Sequence, residues 1–153
     1  MRIEGRFRFD GSQQEVWDLL LDPEVLKTTM PGVKEWKEVA PHEYEVTMKI
    51  GLAAVSGTYS GKVAVRDLEP ARHFKLVMEG GGPLGFVRGE GDINLAEEGG
   101  KTIMQYEGEA EVGGTLAAVG QRMLSGVGKL LVDQSLKSLA RRLKERRQVR
   151  GVT

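Results

Sequence analysis

The stretch from Val33 to Gly113 constrains the fold more than any other part of the chain, because apolar and polar residues alternate along most of it. Turn-like breaks such as Glu69-Pro70-Ala71 divide it into six segments. These segments are 33–40, 43–52, 58–68, 72–80, 86–96 and 102–112. Alternation places apolar side chains on one face of a strand and polar side chains on the other. Since the connections are short, the pattern predicts six consecutive antiparallel strands with one dry face and one wet face.

The residues before this stretch predict one more strand and two short helices. Segment 3–9 has the same alternation as the later strands, so it is predicted to be the first of seven. Ser12 and Glu15 have the spacing of a capping box, which predicts a helix that begins at about Gln13. Pro23 suits the first turn of a second helix, which is expected to end near Met30.

A proline-free segment from about Thr115 to Arg147 predicts one long C-terminal helix, about 50 Å in length. Its apolar residues form two stripes on roughly opposite sides. The first stripe is Leu116, Val119, Gly120, Met123, Val127, Leu130 and Leu131, and the second is Val132, Leu136, Leu139 and Leu143. We expect the first stripe to face the sheet. For the second stripe, a bend near Gly126 and Gly128 that brings both stripes onto the sheet is favoured over contact with a partner.

Four glycines fall in the dry phase of the predicted strands. They are Gly61, Gly89, Gly91 and Gly108. Their neighbours in that phase are large and apolar, so the missing side chains predict a hollow between the sheet and the long helix. Because protein interiors avoid voids, the hollow is expected to hold an apolar ligand, water, or the inward phenols of Tyr59 and Tyr106. A buried phenol needs a hydrogen-bond partner, and core packing of both tyrosines is favoured over contact with a ligand.

The predicted ligand-binding residues come from the dry face of the sheet and from the first helical stripe. They are Val46, Met48, Tyr59, Gly61, Val63, Phe74, Leu76, Met78, Gly89, Gly91, Met104, Tyr106, Gly108, Leu116, Gly120, Met123 and Val127. Two loops are predicted to flank the mouth of the cavity through Met30, Pro31, Leu84 and Phe86. Methionine side chains adapt to irregular cavities, although ordinary core packing explains each methionine equally well.

No comparable pattern predicts catalysis, a metal or a cofactor. The sequence has no cysteine, and a predicted hairpin separates its two histidines, His42 and His73, so no metal-ligand spacing emerges. Gly80, Gly82 and Gly85 have the G-x-G-x-x-G spelling. The segment leads into a predicted strand, however, which favours a flexible hairpin loop over a nucleotide site.

Charge is balanced over the whole chain and concentrated at one end of it. Lysine and arginine total 22, as do aspartate and glutamate, so no net charge predicts binding to nucleic acid. A basic segment at about 141–153 is predicted to be a solvated helix end, and contact with anionic lipid headgroups or an acidic partner is the alternative. With neither a signal core nor an apolar run near the roughly 20 residues that span a bilayer, a single cytoplasmic domain is expected over 1–153. Peripheral contact with the inner face of the membrane stays open.

The order of these elements is that of the α+β helix-grip fold, in which a seven-stranded antiparallel sheet wraps around a long C-terminal helix, as in START-related and pollen-allergen-like proteins. Within this order the sequence resembles the carbon monoxide dehydrogenase CoxG family over nearly the whole chain. The resemblance is carried by Ile3-Glu4-Gly5, Glu15-Val16-Trp17, Leu21-Asp22-Pro23-Glu24-Val25-Leu26, Met30-Pro31-Gly32-Val33, Gly82-Pro83-Leu84-Gly85-Phe86 with Gly89, and Val112-Gly113-Gly114 leading into Val119-Gly120-Gln121-Arg122.

The resemblance implies an apolar cavity between sheet and helix and an accessory role without catalysis. Family members are associated with molybdenum-containing carbon monoxide dehydrogenases and related hydroxylases. Their proposed roles are membrane attachment and the handling of lipid-like or quinone molecules. A carrier of such an apolar molecule is therefore the first hypothesis. The alternatives are an enzyme of the cyclase or hydratase kind that uses the same cavity, and a module that recruits a molybdenum hydroxylase to the membrane.

Overall fold

A seven-stranded antiparallel sheet and one long helix make up most of the chain in a computed structural model, which describes residues 1–150. The elements are β1 (Arg2–Phe9), α1 (Gln13–Leu20), α2 (Pro23–Thr29), β2 (Val33–Ala40), β3 (Glu43–Ile50), β4 (Gly57–Glu69), β5 (His73–Gly82), β6 (Gly85–Glu98), β7 (Lys101–Gly113) and α3 (Gln121–Val149). Two short 3₁₀ helices, Ala53–Val55 and Gly114–Val119, follow β3 and β7. The strand order is β1-β7-β6-β5-β4-β3-β2. The predicted α+β architecture, with two short helices between the first two strands, is confirmed.

Local signals in the sequence account for the two short helices. The Ser12 hydroxyl accepts a hydrogen bond from the Glu15 backbone N–H at 3.1 Å, and the Glu15 carboxylate accepts one from the Ser12 backbone N–H at 3.0 Å. This is the predicted capping box. Asp22 caps α2 by accepting from the Glu24 N–H at 3.0 Å, and Pro23 occupies the first helical turn.

The hairpin between β5 and β6 is tighter than the sequence suggested. The two strands pair up to Gly82 and Gly85, so only Pro83 and Leu84 connect them. The flexible loop predicted from the glycine-rich segment is therefore mostly strand. The backbone N–H of Leu116 donates to the Leu84 carbonyl at 2.7 Å, which ties the hairpin tip to the 3₁₀ helix 114–119.

The long helix begins later than predicted, and its other stripe is the buried one. Residues 114–119 form a 3₁₀ helix, and Gly120 with φ +98 separates it from α3. A left-handed φ interrupts a right-handed helix and favours glycine. In the second stripe Leu136, Leu139 and Leu143 are at most 4% exposed. The second stripe therefore packs inside the chain and needs no partner.

The first stripe does not face the sheet as a buried surface, contrary to the prediction. Met123 and Leu130 are 48% and 42% exposed, and Val127 is half-buried. Leu116 is 3% exposed, but it belongs to the 3₁₀ helix 114–119 and not to α3. The sheet-facing wall of the long helix is thus set by residues after Leu131.

The main core lies between the C-terminal half of α3, the two short helices and one half of the sheet. Its buried members are Phe9, Val16, Trp17, Leu19, Val25, Tyr44, Val46, Val65, Phe74, Leu95, Met104, Leu136, Leu139 and Leu143. Trp17 of α1 packs edge-on against Phe74 of β5, with ring centroids 5.6 Å apart. Burial of these side chains is the main stabilising contribution to the fold.

Arginines near the end of α3 hold that helix to the N-terminal part of the chain. Arg142 donates to the Thr28 hydroxyl at 3.0 Å, Arg146 pairs with Asp22, and Arg147 donates to the Asp10 carbonyl at 2.6 Å. The basic segment is therefore largely docked and is not the solvated helix end that was predicted, although its residues 151–153 lie outside the described part. Within residues 1–150, no helix has the length and apolar character needed to cross a membrane.

Candidate functional site

The strand register places all four predicted glycines on the concave, helix-facing side of the sheet. Gly91 of β6 lies between Leu76 of β5 and Gly108 of β7. Gly89 lies beside Met78, and Gly61 of β4 beside Val46 of β3. These partners share a face, because residues directly opposite each other in a ladder point the same way. The predicted inward phase of the glycines is confirmed.

These glycines are required by the backbone and do more than leave volume. A Cβ atom on Gly89 would lie 2.5 Å from the Glu109 carbonyl oxygen, and on Gly91 it would lie 2.8 Å from that of Glu107. On Gly108 it would lie 2.9 Å from the Glu90 carbonyl oxygen. Each obstacle is the backbone of the neighbouring strand, so no side-chain rotation relieves the contact. The glycines let the strands approach closely enough for the sheet to curl around the helix.

The concave face is divided into a filled half and an open half. In the filled half, inward residues such as Tyr44, Val65 and Leu95 are 2 to 8% exposed. In the other half, Met78 points inward between Val63 and Gly89, yet it is 41% exposed. We call this region the open half. Its inward residues are Met48, Tyr59, Gly61, Met78, Gly80, Val87, Gly89, Gly91, Gly108, Ala110 and Val112, all of which are at least partly exposed.

The two 3₁₀ helices close one end of the open half. Val55 and Leu116, one from each, are 4% and 3% exposed. The Tyr59 hydroxyl donates to the Val55 carbonyl at 2.7 Å, which fixes the first 3₁₀ helix to β4. Neither helix was predicted from the sequence. Glycine on either side of 114–119, at Gly114 with φ +72 and Gly120, is the signal that indicates a separate short element.

Several predicted ligand-binding residues lie in the filled half or at its border. Val46, Phe74 and Met104 are 4 to 8% exposed and belong to the main core. Val63 and Leu76 are partly buried against that core. Contact between any of these residues and a ligand stays a prediction, and the open half begins beyond them.

The four residues predicted to flank the mouth do not share one rim. Met30 packs against the main core, and Pro31 is half-buried beside it. Leu84 sits at the hairpin tip. Phe86 lies on the outer face of the sheet, where its register partners are Gly81 and Gly113 and where the Arg88 guanidinium is 5.6 Å from the ring centroid.

The two inward tyrosines have different surroundings. The Tyr59 hydroxyl is already bonded to Val55, and burial raises the pKa of Tyr59. The Tyr106 ring lies over Gly5, where its Cζ atom is 2.7 Å from the position that a Cβ would take. Within residues 1–150, the Tyr106 hydroxyl has no hydrogen-bond partner. Burial, followed by the negative charge of Asp133, raises the pKa of Tyr106.

Three surface hollows of about 360 to 430 Å³ are separate from the groove beneath the long helix. The first is lined by charged residues of the outer face such as Lys62, Glu79 and Arg88, and none of the three includes a residue of α3. The open half is thus an open groove and not an enclosed cavity. Among the described residues, no group of three or more histidine, aspartate or glutamate side chains could hold a metal ion.

Comparison with known proteins adds a family and a fold. The family model for CoxG of carbon monoxide dehydrogenase matches residues 5–144. A conserved protein from Geobacillus kaustophilus is 37% identical, with a TM-score of 0.92 over 95% of this chain and 96% of that chain. No curated protein matches the sequence.

More distant solved structures share the fold alone. A START superfamily protein from Mycobacterium smegmatis has a TM-score of 0.75 at 14% identity and covers 94% of this chain and 97% of its own. The Zhui aromatase/cyclase from Streptomyces sp. R1128 has a TM-score of 0.71 at 16% identity, covering 96% and 94%. At such low identity these likenesses carry the architecture and not the activity.

Proposed function

The chain belongs to the carbon monoxide dehydrogenase CoxG family, and on that premise we propose that it is a non-catalytic accessory protein that binds an apolar molecule, either lipid-like or a quinone. The binding site is the open half of the concave face. The single observation that carries this proposal is the exposure of Met78, which is 41% exposed although it points toward α3. An inward side chain on a sheet is otherwise covered by the core.

The chemistry of the open half supports an apolar ligand. Its inward residues are aliphatic residues, methionines, glycines and one tyrosine, with no charged side chain among them. Clefts that hold small molecules are mostly apolar with a few polar groups. Where glycines form the wall, a flat or narrow molecule can contact the backbone of the sheet directly.

Native mass spectrometry of gently purified protein, followed by organic extraction, tests the proposal. We expect a bound apolar species, or saturable binding of added quinones or long-chain alcohols. Ala110→Trp fills the groove, because Ala110 points inward and its neighbour Gly89 has no side chain. Ala96→Trp, on the outer face of β6, is the matched control. Binding that survives Ala110→Trp unchanged, or a protein that takes up none of these compounds, contradicts the proposal.

A second candidate function is an enzyme of the cyclase or hydratase kind, which the unpartnered hydroxyl of Tyr106 favours. Such an enzyme alters the bonds of its ligand, whereas a carrier returns it unchanged. Mass spectrometry of the extracted ligand before and after incubation separates the two. A loss of one water that disappears in Tyr106→Phe supports the enzyme, and an unchanged mass supports the carrier.

The proposed partner is a carbon monoxide dehydrogenase or a related hydroxylase, met in the cytoplasm or at the inner face of the membrane. Arg141, Lys144 and Arg150 support this proposal, because they are exposed and contact no acidic side chain within residues 1–150. Changing these three to glutamate should abolish co-sedimentation with the hydroxylase or with anionic vesicles. Unchanged binding to both would remove the basic segment from the proposal.

A further inference from the structure

We propose that the open half ends at a polar pair, the hydroxyl of Tyr106 and the carboxylate of Asp133, which selects an uncharged molecule ending in a hydroxyl group over one ending in a carboxylate. This inference rests on the proposed function, because it names the class of molecule that the same groove takes. It concerns the head group of the ligand and not its apolar body.

Tyr106 stands where the filled half meets the open half. On β7 it lies between Gly5 of β1 and Ile93 of β6, and the next inward residue of β7 is Gly108, which belongs to the open half. Its ring lies over Gly5, a residue without a side chain to cover it. The phenol is therefore held at the inner end of the groove with its hydroxyl free to donate.

Asp133 lies level with this hydroxyl along the helix. Gly128 of α3 packs against Ile3, with 2.8 Å between the Ile3 Cδ1 and the position of a Cβ at Gly128, and Arg147 bonds the Asp10 carbonyl. The chain from Ile3 to Asp10 spans about 23 Å as a strand, and α3 from Gly128 to Arg147 spans about 28 Å.

The long helix and β1 therefore run in the same direction, nearly in step. Two residues beyond Ile3, or about 7 Å, the strand reaches Gly5. Five residues beyond Gly128, or about 7.5 Å, the helix reaches Asp133. The helix thus brings the carboxylate to the level at which Tyr106 covers Gly5.

The charge of Asp133 is not neutralised by a contact. Asp133 is half-buried, and within residues 1–150 it forms no ion pair, although Lys129 and Lys137 lie one turn away on either side. Its negative charge contributes to the raised pKa of Tyr106, after the larger effect of burial. That influence is consistent with two groups that face the same space.

This arrangement distinguishes head groups by charge. A ligand hydroxyl accepts a hydrogen bond from Tyr106 and donates one to Asp133, which satisfies both protein groups. A ligand carboxylate also accepts from Tyr106, but it brings a second negative charge close to Asp133 in a partly dry site. At separations of about 6 Å this repulsion is expected to weaken binding by about tenfold or more.

Displacement of a fluorescent probe tests the inference. The uncharged dye N-phenyl-1-naphthylamine is bound to the full chain at pH 8 and displaced by 1-dodecanol, dodecanoate or dodecylamine, which share one chain length. Variants are Asp133→Asn, Tyr106→Phe and, as a control that removes a charge elsewhere on α3, Glu145→Gln. Circular dichroism verifies that each variant is folded.

We expect dodecanol to bind wild-type protein at least about tenfold more tightly than dodecanoate. Asp133→Asn should bring the two within about threefold by strengthening dodecanoate binding, and Tyr106→Phe should weaken dodecanol several-fold. Glu145→Gln should change neither. Equal affinities in wild-type protein, or a preference unchanged by Asp133→Asn, overturns the inference while leaving groove binding intact. Tightest binding of dodecylamine overturns the hydroxyl assignment, and failure of the dye and all three ligands to bind overturns the proposed function as well.

Discussion

Replacing Gly89 with alanine should destabilise the protein, although alanine is ordinarily the better residue in a folded chain. The φ angle of Gly89 lies outside the left-handed region, so its conformation is open to alanine. The added Cβ would nevertheless lie 2.5 Å from the Glu109 carbonyl oxygen and 3.1 Å from the Ala110 Cα. Both obstacles are backbone atoms of β7, so relief requires the two strands to separate.

The size of the effect follows from how far the strands must move. An ordinary van der Waals contact begins near 3.4 Å, so β6 and β7 must separate by almost 1 Å at this point. Overpacking of this kind costs typically 1–3 kcal/mol and sometimes more, and rigid backbone neighbours place Gly89→Ala at the upper end, about 2–4 kcal/mol. For a domain of this size that lowers the Tm by about 5 to 15 °C. If the glycine merely left empty volume, alanine would stabilise by about 0.4–1 kcal/mol.

Urea and thermal unfolding, followed by circular dichroism, measure the difference. Gly126→Ala is the matched control, because Gly126 lies within α3 and a Cβ there meets nothing within 4 Å. That control should gain about 0.5–1 kcal/mol. A Gly89→Ala protein as stable as wild type, or more stable, would refute the argument that the inward glycines permit the curl of the sheet.

Three further predictions concern the core, an ion pair of the long helix and pH. Leu136→Ala should cost about 2–5 kcal/mol in urea unfolding, whereas Leu130→Ala, at 42% exposure, should cost less than about 1 kcal/mol; similar losses would contradict the assignment of the buried stripe. Arg146→Ala and Asp22→Ala should show a coupling of about 1 kcal/mol in a double-mutant cycle, since their side chains are 24% and 31% exposed, and additive losses would argue against the ion pair. Burial, followed by the charge of a neighbouring glutamate, raises the pKa of Tyr44 to about 12; stability that depends on the neutral phenol is complete below pH 10 and is lost as the pH rises toward 12, by up to about 3 kcal/mol, and a Tyr44→Phe protein with the same alkaline slope would refute this.

Most of the secondary structure was predictable because its signals are local. Alternation located the seven strands, and Ser12, Glu15 and Pro23 marked the short helices. The choice between the two stripes of α3 was not predictable in this way, since both are apolar and their burial depends on what lies across from them. The arginine contacts of Arg146 and Arg147 with the N-terminal segment place the second stripe on the core.

The candidate site was partly predictable, for a similar reason. Period-two phase correctly placed Gly89 and Gly91 on the concave face. It also places Phe86 on the outer face, because Phe86 is three residues before Gly89, and the grouping of Phe86 with the mouth overlooked this. The steric need for these glycines involves register partners in other strands, such as Gly108, which a single sequence does not reveal. Asp133 was missed because its relation to Tyr106 depends on how α3 lies along β1.

Binding in the open half is tested most directly by NMR of ¹³C-methyl-labelled methionine during titration with 1-dodecanol or a quinone. Six methionines report separately, once assigned by substitution with leucine. Met78 is exposed inside the proposed groove, whereas Met104 is 4% exposed in the filled half. The account predicts a saturable shift of the Met78 methyl signal with little change at Met104. Saturable binding that leaves Met78 unmoved would place the ligand elsewhere and contradict the account.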